Sequence, residues 1–103
     1  MKTRSEYIRI IKEHATELQK RFGIESLSIF GSVARNEQRE GSDVDLFVKM
    51  PSRFFNYIEA SDYLQSVLGC KVDLICDHKN LRQFFRDQIT RDGIVIFTTE
   101  GNR

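Results

Sequence analysis

Tryptophan is absent from this chain of 103 residues, proline occurs once and cysteine twice. Pro51 stands alone and no stretch is rich in glycine, serine or proline, so no linker offers a place to divide the chain. A single domain over residues 1–103 is expected, with one modest hydrophobic core. Cys70 and Cys76 are spaced neither as a zinc knuckle nor as a redox pair, and Cys76, ending an apolar run, reads as a packing residue. Charge of one sign is lacking too, since 16 basic residues against 15 acidic leave a formal charge of +1. No broad field draws in nucleic acid or an anionic membrane, so no direct nucleic-acid binding is expected. Long apolar runs are missing, which excludes a membrane span of roughly 20 residues. The first residues, MKTRSEYIRIIKEH, lack the apolar block of a signal peptide, and a cytoplasmic location is the expectation. His14 and His78 lie among charged neighbours and read as solvated surface.

What the chain does contain is regular patterning in a composition ordinary for a folded protein, 40% apolar and 30% charged. Ile8, Ile11, Ala15, Leu18 and Phe22 recur every three or four positions, which predicts one amphipathic helix over residues 3–22, ended by Gly23. SLSIF, residues 26–30, reads as a strand running into Gly31, with a short helix from about Val33. SDVDLFVKM alternates, placing Val44, Leu46 and Val48 on one face and Asp43, Asp45, Phe47 and Lys49 on the other. Pro51 and Ser52 open a helix from about Arg53 to Leu68, with Phe54, Ile58, Leu64, Val67 and Leu68 inward and Gly69 as its stop. KVDLIC repeats the strand pattern, with Asp73 on the face opposite Val72 and Leu74. Leu81, Phe84, Phe85 and Ile89 mark a last helix that Gly93 ends, and IVIF adds a short strand. This order predicts the α/β (α+β) class, a small mixed β-sheet packed with helices. The pairing order of the strands does not follow from it.

The chemistry concentrates in GSVARNEQREGSDVDLF, residues 31–47. Residues two apart on a strand point the same way, so Asp43 and Asp45 present carboxylates about 6.5 to 7 Å apart along one face. Two such charges repel unless a cation lies between them, and magnesium, which takes carboxylates together with phosphate oxygens, is the natural candidate. A calcium loop of the EF-hand type is not the answer, because Leu46 and Phe47 stand where it needs an oxygen ligand and the approach to a glycine. Upstream, Gly31 permits a tight turn and Ser32 can cap the following helix, whose free amides and dipole suit an anion. Arg35, one turn on, can add a charge-assisted bond, and Arg39 could reach a phosphate. A Walker loop is excluded, since no Gly-Lys-Ser/Thr follows at the required spacing. A phosphate seat beside a metal seat fits metal-assisted transfer from a nucleoside triphosphate.

FGSVAR followed by GSDVDLFV resembles the Gly-Ser, then Asp-x-Asp signature of the DNA polymerase beta-like nucleotidyltransferase superfamily, most closely its minimal nucleotidyltransferase branch. That resemblance implies the polymerase beta-like nucleotidyltransferase fold and a third carboxylate on a later strand, which KVDLI supplies as Asp73. It implies that Asp43, Asp45 and Asp73 are catalytic and hold two Mg2+ ions, and that Gly31, Ser32, Arg35 and Ser42 bind the nucleotide. Asp73 could also take the proton of the incoming hydroxyl. Asn36 departs from the glycine common at that place, though asparagine tolerates a left-handed turn. Larger members carry a second domain for base or acceptor, so a partner is expected to complete the acceptor site. The branch resembles the antitoxin half of pairs whose toxin is a HEPN ribonuclease, and the function implied is transfer of AMP from ATP to a hydroxyl, a tyrosine by preference, on that toxin. The competing readings are a non-catalytic module that neutralises its partner by binding it, and nucleotidyl transfer to a small molecule. Phe55 and Tyr57 are candidates for the partner face.

Overall fold

Thr3 opens the first helix with a reciprocal cap: its hydroxyl accepts from the Glu6 N–H at 3.2 Å, and the Glu6 carboxylate accepts from the Thr3 N–H at 2.9 Å. In the computed structural model, which describes residues 2–51 and 53–99, this helix, α1, spans Arg4–Glu13. It is followed by a separate α2, Ala15–Phe22. The single expected helix is thus divided at His14. There the backbone N–H is shared between the Ile10 and Ile11 carbonyls at 3.2 and 3.1 Å, and the ring Nδ1 lies 2.8 Å from the Ile10 carbonyl. A side chain competing for the carbonyl one turn back interrupts the helix without changing the face that it buries. Gly23, at φ 71°, ends α2 as expected.

Four strands follow: β1 Ser26–Phe30, β2 Val44–Lys49, β3 Val72–Cys76 and β4 Ile94–Thr98. They form one sheet in the order β3-β2-β1-β4. β1 runs antiparallel to both β2 and β4, while β2 and β3 are parallel and joined by helix α4, Phe54–Leu68. Two short helices complete the set, α3 Gly31–Ala34 and α5 Gln83–Asp92. The mixed sheet packed with helices that the patterning predicts is the fold found.

The core lies between one sheet face and the helices α1, α2 and α4. Leu27, Ile29, Val44, Leu46, Val48, Leu74 and Ile96 point from the sheet toward Ile11, Leu18, Phe22, Ala60, Leu64 and Leu68. The inward stripe of α4 corrects the expectation. Phe54 and Ile58 face solvent, the former 71% exposed, while Ala60 takes a central place. The reason is the 100° step per residue: the stripe through Ala60, Leu64 and Leu68 puts Phe54 and Ile58 on its flank and Phe55 on the far side. Tyr57 is half-buried, and its hydroxyl donates to the Leu74 carbonyl at 2.7 Å and ties α4 to β3. The expected part of Ser52 in opening α4 lies outside the described residues. No helix among the described residues is long and apolar enough to cross a membrane.

Leu64 is fully buried on α4, so Leu64→Ala leaves a cavity and is expected to lower unfolding free energy by roughly 3 to 5 kcal/mol. Urea denaturation measures that loss, and one below about 1 kcal/mol would place α4 outside the cooperative core.

Candidate active site

The corner at the end of β1 is made by Gly31, whose φ of +72° suits glycine. A Cβ here would run into the Asp45 carboxylate, so the glycine is required both by its backbone angle and by the side chain seated against it. α3 begins at this glycine, two residues before the position that the sequence suggests. Ser32 consequently stands inside the first turn instead of capping it, and the helix start carries no side-chain cap bond. The extended N-cap position falls instead on Phe30, whose side chain has no oxygen to offer the first-turn amides. Asn36 adopts the expected left-handed conformation, φ 61°, and the Glu37 N–H returns to the Ser32 carbonyl at 2.8 Å.

The loop back to β2 is closed by a second turn. The Ser42 N–H donates to the Arg39 carbonyl at 2.9 Å, and the Ser42 hydroxyl accepts from the Arg39 N–H at 2.9 Å. Gly41 between them has φ +83°. Ser42 therefore shapes the approach to the acids. The strand itself starts at Val44, whose N–H donates to the Lys71 carbonyl at 3.0 Å, so Asp43 occupies the last loop position and not the strand.

Strand register does the rest. Asp45 is the partner of Phe30 on β1, the residue before Gly31, and on its other side it is the partner of Asp73 on β3. Neighbouring strands lie about 4.8 Å apart, so two carboxylates in direct parallel register stand side by side. Asp43 and Asp73 are exposed, whereas Asp45 is half-buried. Burial, first, and then the charges of Asp73 and Asp43 push the Asp45 carboxyl up from its ordinary 3.8 to about 6, against a smaller opposing pull from Arg35. The three acids that the sequence singles out are thus brought within electrostatic reach of one another, beside the glycine turn.

Arg35 is drawn elsewhere. Its Nη1 donates to Asp92 of α5 and its Nε to Glu37, both at 2.8 Å. Those two carboxylates hold the guanidinium above its ordinary pKa. Asp92 could not be found from the sequence, since it lies 57 positions beyond Arg35 with no local signal to link the two.

The donor set fits a hard divalent ion. All three side chains offer carboxylate oxygen, and a cation would counter the burial and the neighbouring charges that together raise Asp45. Among the described residues no three Asp, Glu, His or Cys side chains close into a ready cage. Magnesium keeps waters and substrate oxygens among its ligands and takes only one or two carboxylates from a protein. The chemistry available is displacement at phosphorus, with anion-binding amides on one side and carboxylates on the other.

Comparison with known proteins follows the same residues. Residues 12–102 match the family described as "Polymerase beta, Nucleotidyltransferase". A protein of Methanocaldococcus jannaschii, provisionally named a protein adenylyltransferase, is 39% identical over 98 residues, covering 93% of this chain and all of its own length. The protein adenylyltransferase MntA of Thermococcus cleftensis is 41% identical over 78 residues, 73% of this chain and 78% of its own. Among solved structures, one provisionally described as a minimal nucleotidyltransferase superposes with a TM-score of 0.71 at 33% identity, covering 86% of this chain and 92% of that one. A chain from the complex of a tri-AMPylated Shewanella oneidensis HEPN toxin with its MNT antitoxin shares the fold at TM-score 0.63 and 18% identity, covering 90% and 74%.

Two outcomes follow from this geometry. In the metal-free protein the raised Asp45 pKa means that its contribution to stability is complete below about 3.8 and is lost as pH rises through about 6. Asp45→Asn should remove that loss and stabilise the fold near neutral pH by about 1 to 2 kcal/mol, after allowance for solvent screening. Thermal unfolding in chelator across this pH range reads it, and a wild-type stability that rises from acid to neutral pH with a slope lost in the variant would reverse the assignment. Gly31→Ala should destabilise by about 1 to 3 kcal/mol through its strained φ and displace the Asp45 carboxylate. An alanine variant as stable as the parent would show that the corner can relax.

Proposed function

Because the chain belongs to the polymerase beta nucleotidyltransferase family, we propose that it transfers AMP from ATP, with magnesium, to a hydroxyl on a HEPN-type toxin and thereby acts as an antitoxin in the cytoplasm. The acceptor in this reading is a tyrosine. One observation carries it: a half-buried Asp45, in register with Asp73 and flanked by Asp43, seated against the glycine that turns the chain into α3. The protein adenylyltransferases among its relatives and the AMPylated toxin of the Shewanella complex support the choice of nucleotide and partner.

Asp43, Asp45 and Asp73 would hold two magnesium ions, which supply charge stabilisation at the phosphorus under displacement. Gly31 and Ser32 seat the triphosphate through first-turn N–H groups, which an α-helix leaves without intrahelical partners. Ser42 keeps the loop that delivers Asp43 in its closed turn. The acceptor oxygen attacks the α-phosphorus, the bond from that phosphorus to the bridging oxygen breaks, and pyrophosphate departs in line. Asp73, the exposed member of the cross-strand pair, takes the proton from the attacking hydroxyl as general base.

The test is incubation of the protein and its candidate toxin partner with labelled ATP and magnesium, followed by mass spectrometry of both chains. AMP should appear on the toxin, and Asp43→Ala with Asp45→Ala should reduce the addition by more than about 100-fold. If no nucleotide is added, or if the double substitution leaves the addition unchanged, the catalytic reading fails. Neutralisation that survives loss of transfer would replace it with inhibition by direct binding.

A further inference from the structure

A helix one turn long cannot hold itself, since stability accrues only after the nucleating turn has formed. The end of α3 is accordingly tied to two other helices. Arg4 of α1 donates through Nη1 to the Ala34 carbonyl at 2.8 Å. Arg35, the C-cap of α3, donates through Nη1 to Asp92 Oδ2 at the last position of α5, also at 2.8 Å. The Asp92 side chain is only 8% exposed, and Arg91 bonds the same carboxylate at 3.2 and 3.3 Å. Glu37 takes the Nε of Arg35 at 2.8 Å.

We infer that Asp92 is a positioning residue for the phosphate seat: through Arg35 it fixes α3, and Arg35 serves as a clamp and not as a ligand of the triphosphate. The guanidinium already faces two carboxylates with two different nitrogens, using the planar fork that lysine lacks. To grip a phosphate with two nitrogens it would have to share or release one of these bonds, since only Nη2 is uncommitted. The connection also closes a ring. Asp92 is followed by Gly93 and β4, β4 pairs with β1, and β1 ends in the corner at Gly31 from which α3 starts. A bond between the end of α3 and the end of α5 therefore fixes the angle at which the Gly31 and Ser32 amides leave the sheet.

The kinetic half of the test rests on the function proposed above, and the structural half does not. Arg35→Gln, Asp92→Asn and the double variant are compared for KM and kcat with magnesium ATP, and by residue-resolved amide exchange. Each single substitution should raise KM for ATP about tenfold with kcat changed less than about threefold, and the double should be no worse than either single. The amides that close this turn, those of Arg35, Asn36 and Glu37, should lose protection while those of Leu27 and Leu46 in the sheet keep theirs. Asp92→Glu, which retains the charge, should recover part of the KM and of the protection. The opposite pattern overturns the inference: if Asp92→Asn leaves KM unchanged or lowers it while Arg35→Gln raises it, the released arginine is a phosphate ligand. Unchanged protection of the Arg35, Asn36 and Glu37 amides in both single variants overturns it as well. Should sheet protection fall in either neutral variant, Arg35→Lys substitutes for it, since it keeps the charge and loses only the fork, and the same two readouts decide. A parent protein that transfers no nucleotide at all would defeat the proposed function, with amide exchange still deciding the clamp.

Discussion

Two carboxylates in direct parallel register, one of them half-buried, repel each other, and much of the rest of this structure is arranged to hold them there regardless. Asp45 cannot move toward β1, because the Gly31 corner fits against its carboxylate with no room for a Cβ. Nor can it slide along β2, since a shift of one residue would turn Val44, Leu46 and Val48, all fully buried, to the wrong face. The hydrophobic face of β2 therefore fixes the charged face. A site that raises the pKa of its own acid to about 6 stores unfavourable electrostatic energy, which the aliphatic core on the other side of the same strand offsets.

The same logic explains why the phosphate-side turn needs outside support. α3 buries Val33 and Ala34 but is only four residues long, and it leaves the sheet at a left-handed residue. Helices of this length draw their order from neighbours. Here the neighbours are α1 through Arg4 and α5 through Asp92, which lie far from α3 in sequence and close to it in space. α5 itself has no fully buried residue, so its grip on the fold depends more than that of α4 on polar contacts such as the Arg35 bond. Clamp and clamped helix stabilise each other.

Much of this was legible in the residues. Strand alternation gave β2 and β3 their faces, and with them the common direction of Asp45 and Asp73, because period two allows no other outcome once the apolar side is known. β1 and the termini of α4 were placed within a residue by Gly31, Pro51 and Gly69. What could not be read were features set by partners remote in sequence. The break at His14 depends on a ring nitrogen finding the Ile10 carbonyl. The outward set of Phe54 and Ile58 depends on which side of α4 meets the sheet, a choice made by Ala60, Leu64 and Leu68 and left open by apolar spacing when phenylalanines crowd the first turn. The engagement of Arg35 with Asp92 had no local signal at all.

The union of Asp45 with Asp73, 27 residues lying between them, shows why so short a chain can assemble a three-acid site. Parallel strands need a crossover, and the crossover here, α4, is also the principal helix of the core. Burying Leu64 and Leu68 against the sheet thus brings β3 alongside β2 in the register that pairs Asp45 with Asp73. The Tyr57 hydroxyl, bonded to the Leu74 carbonyl one residue beyond Asp73, ties that register to the helix. Without the α4 core the two acids would belong to separate segments, each merely solvated. With it, their repulsion becomes a fixed property of the fold, available to any cation of the right hardness that approaches the open side.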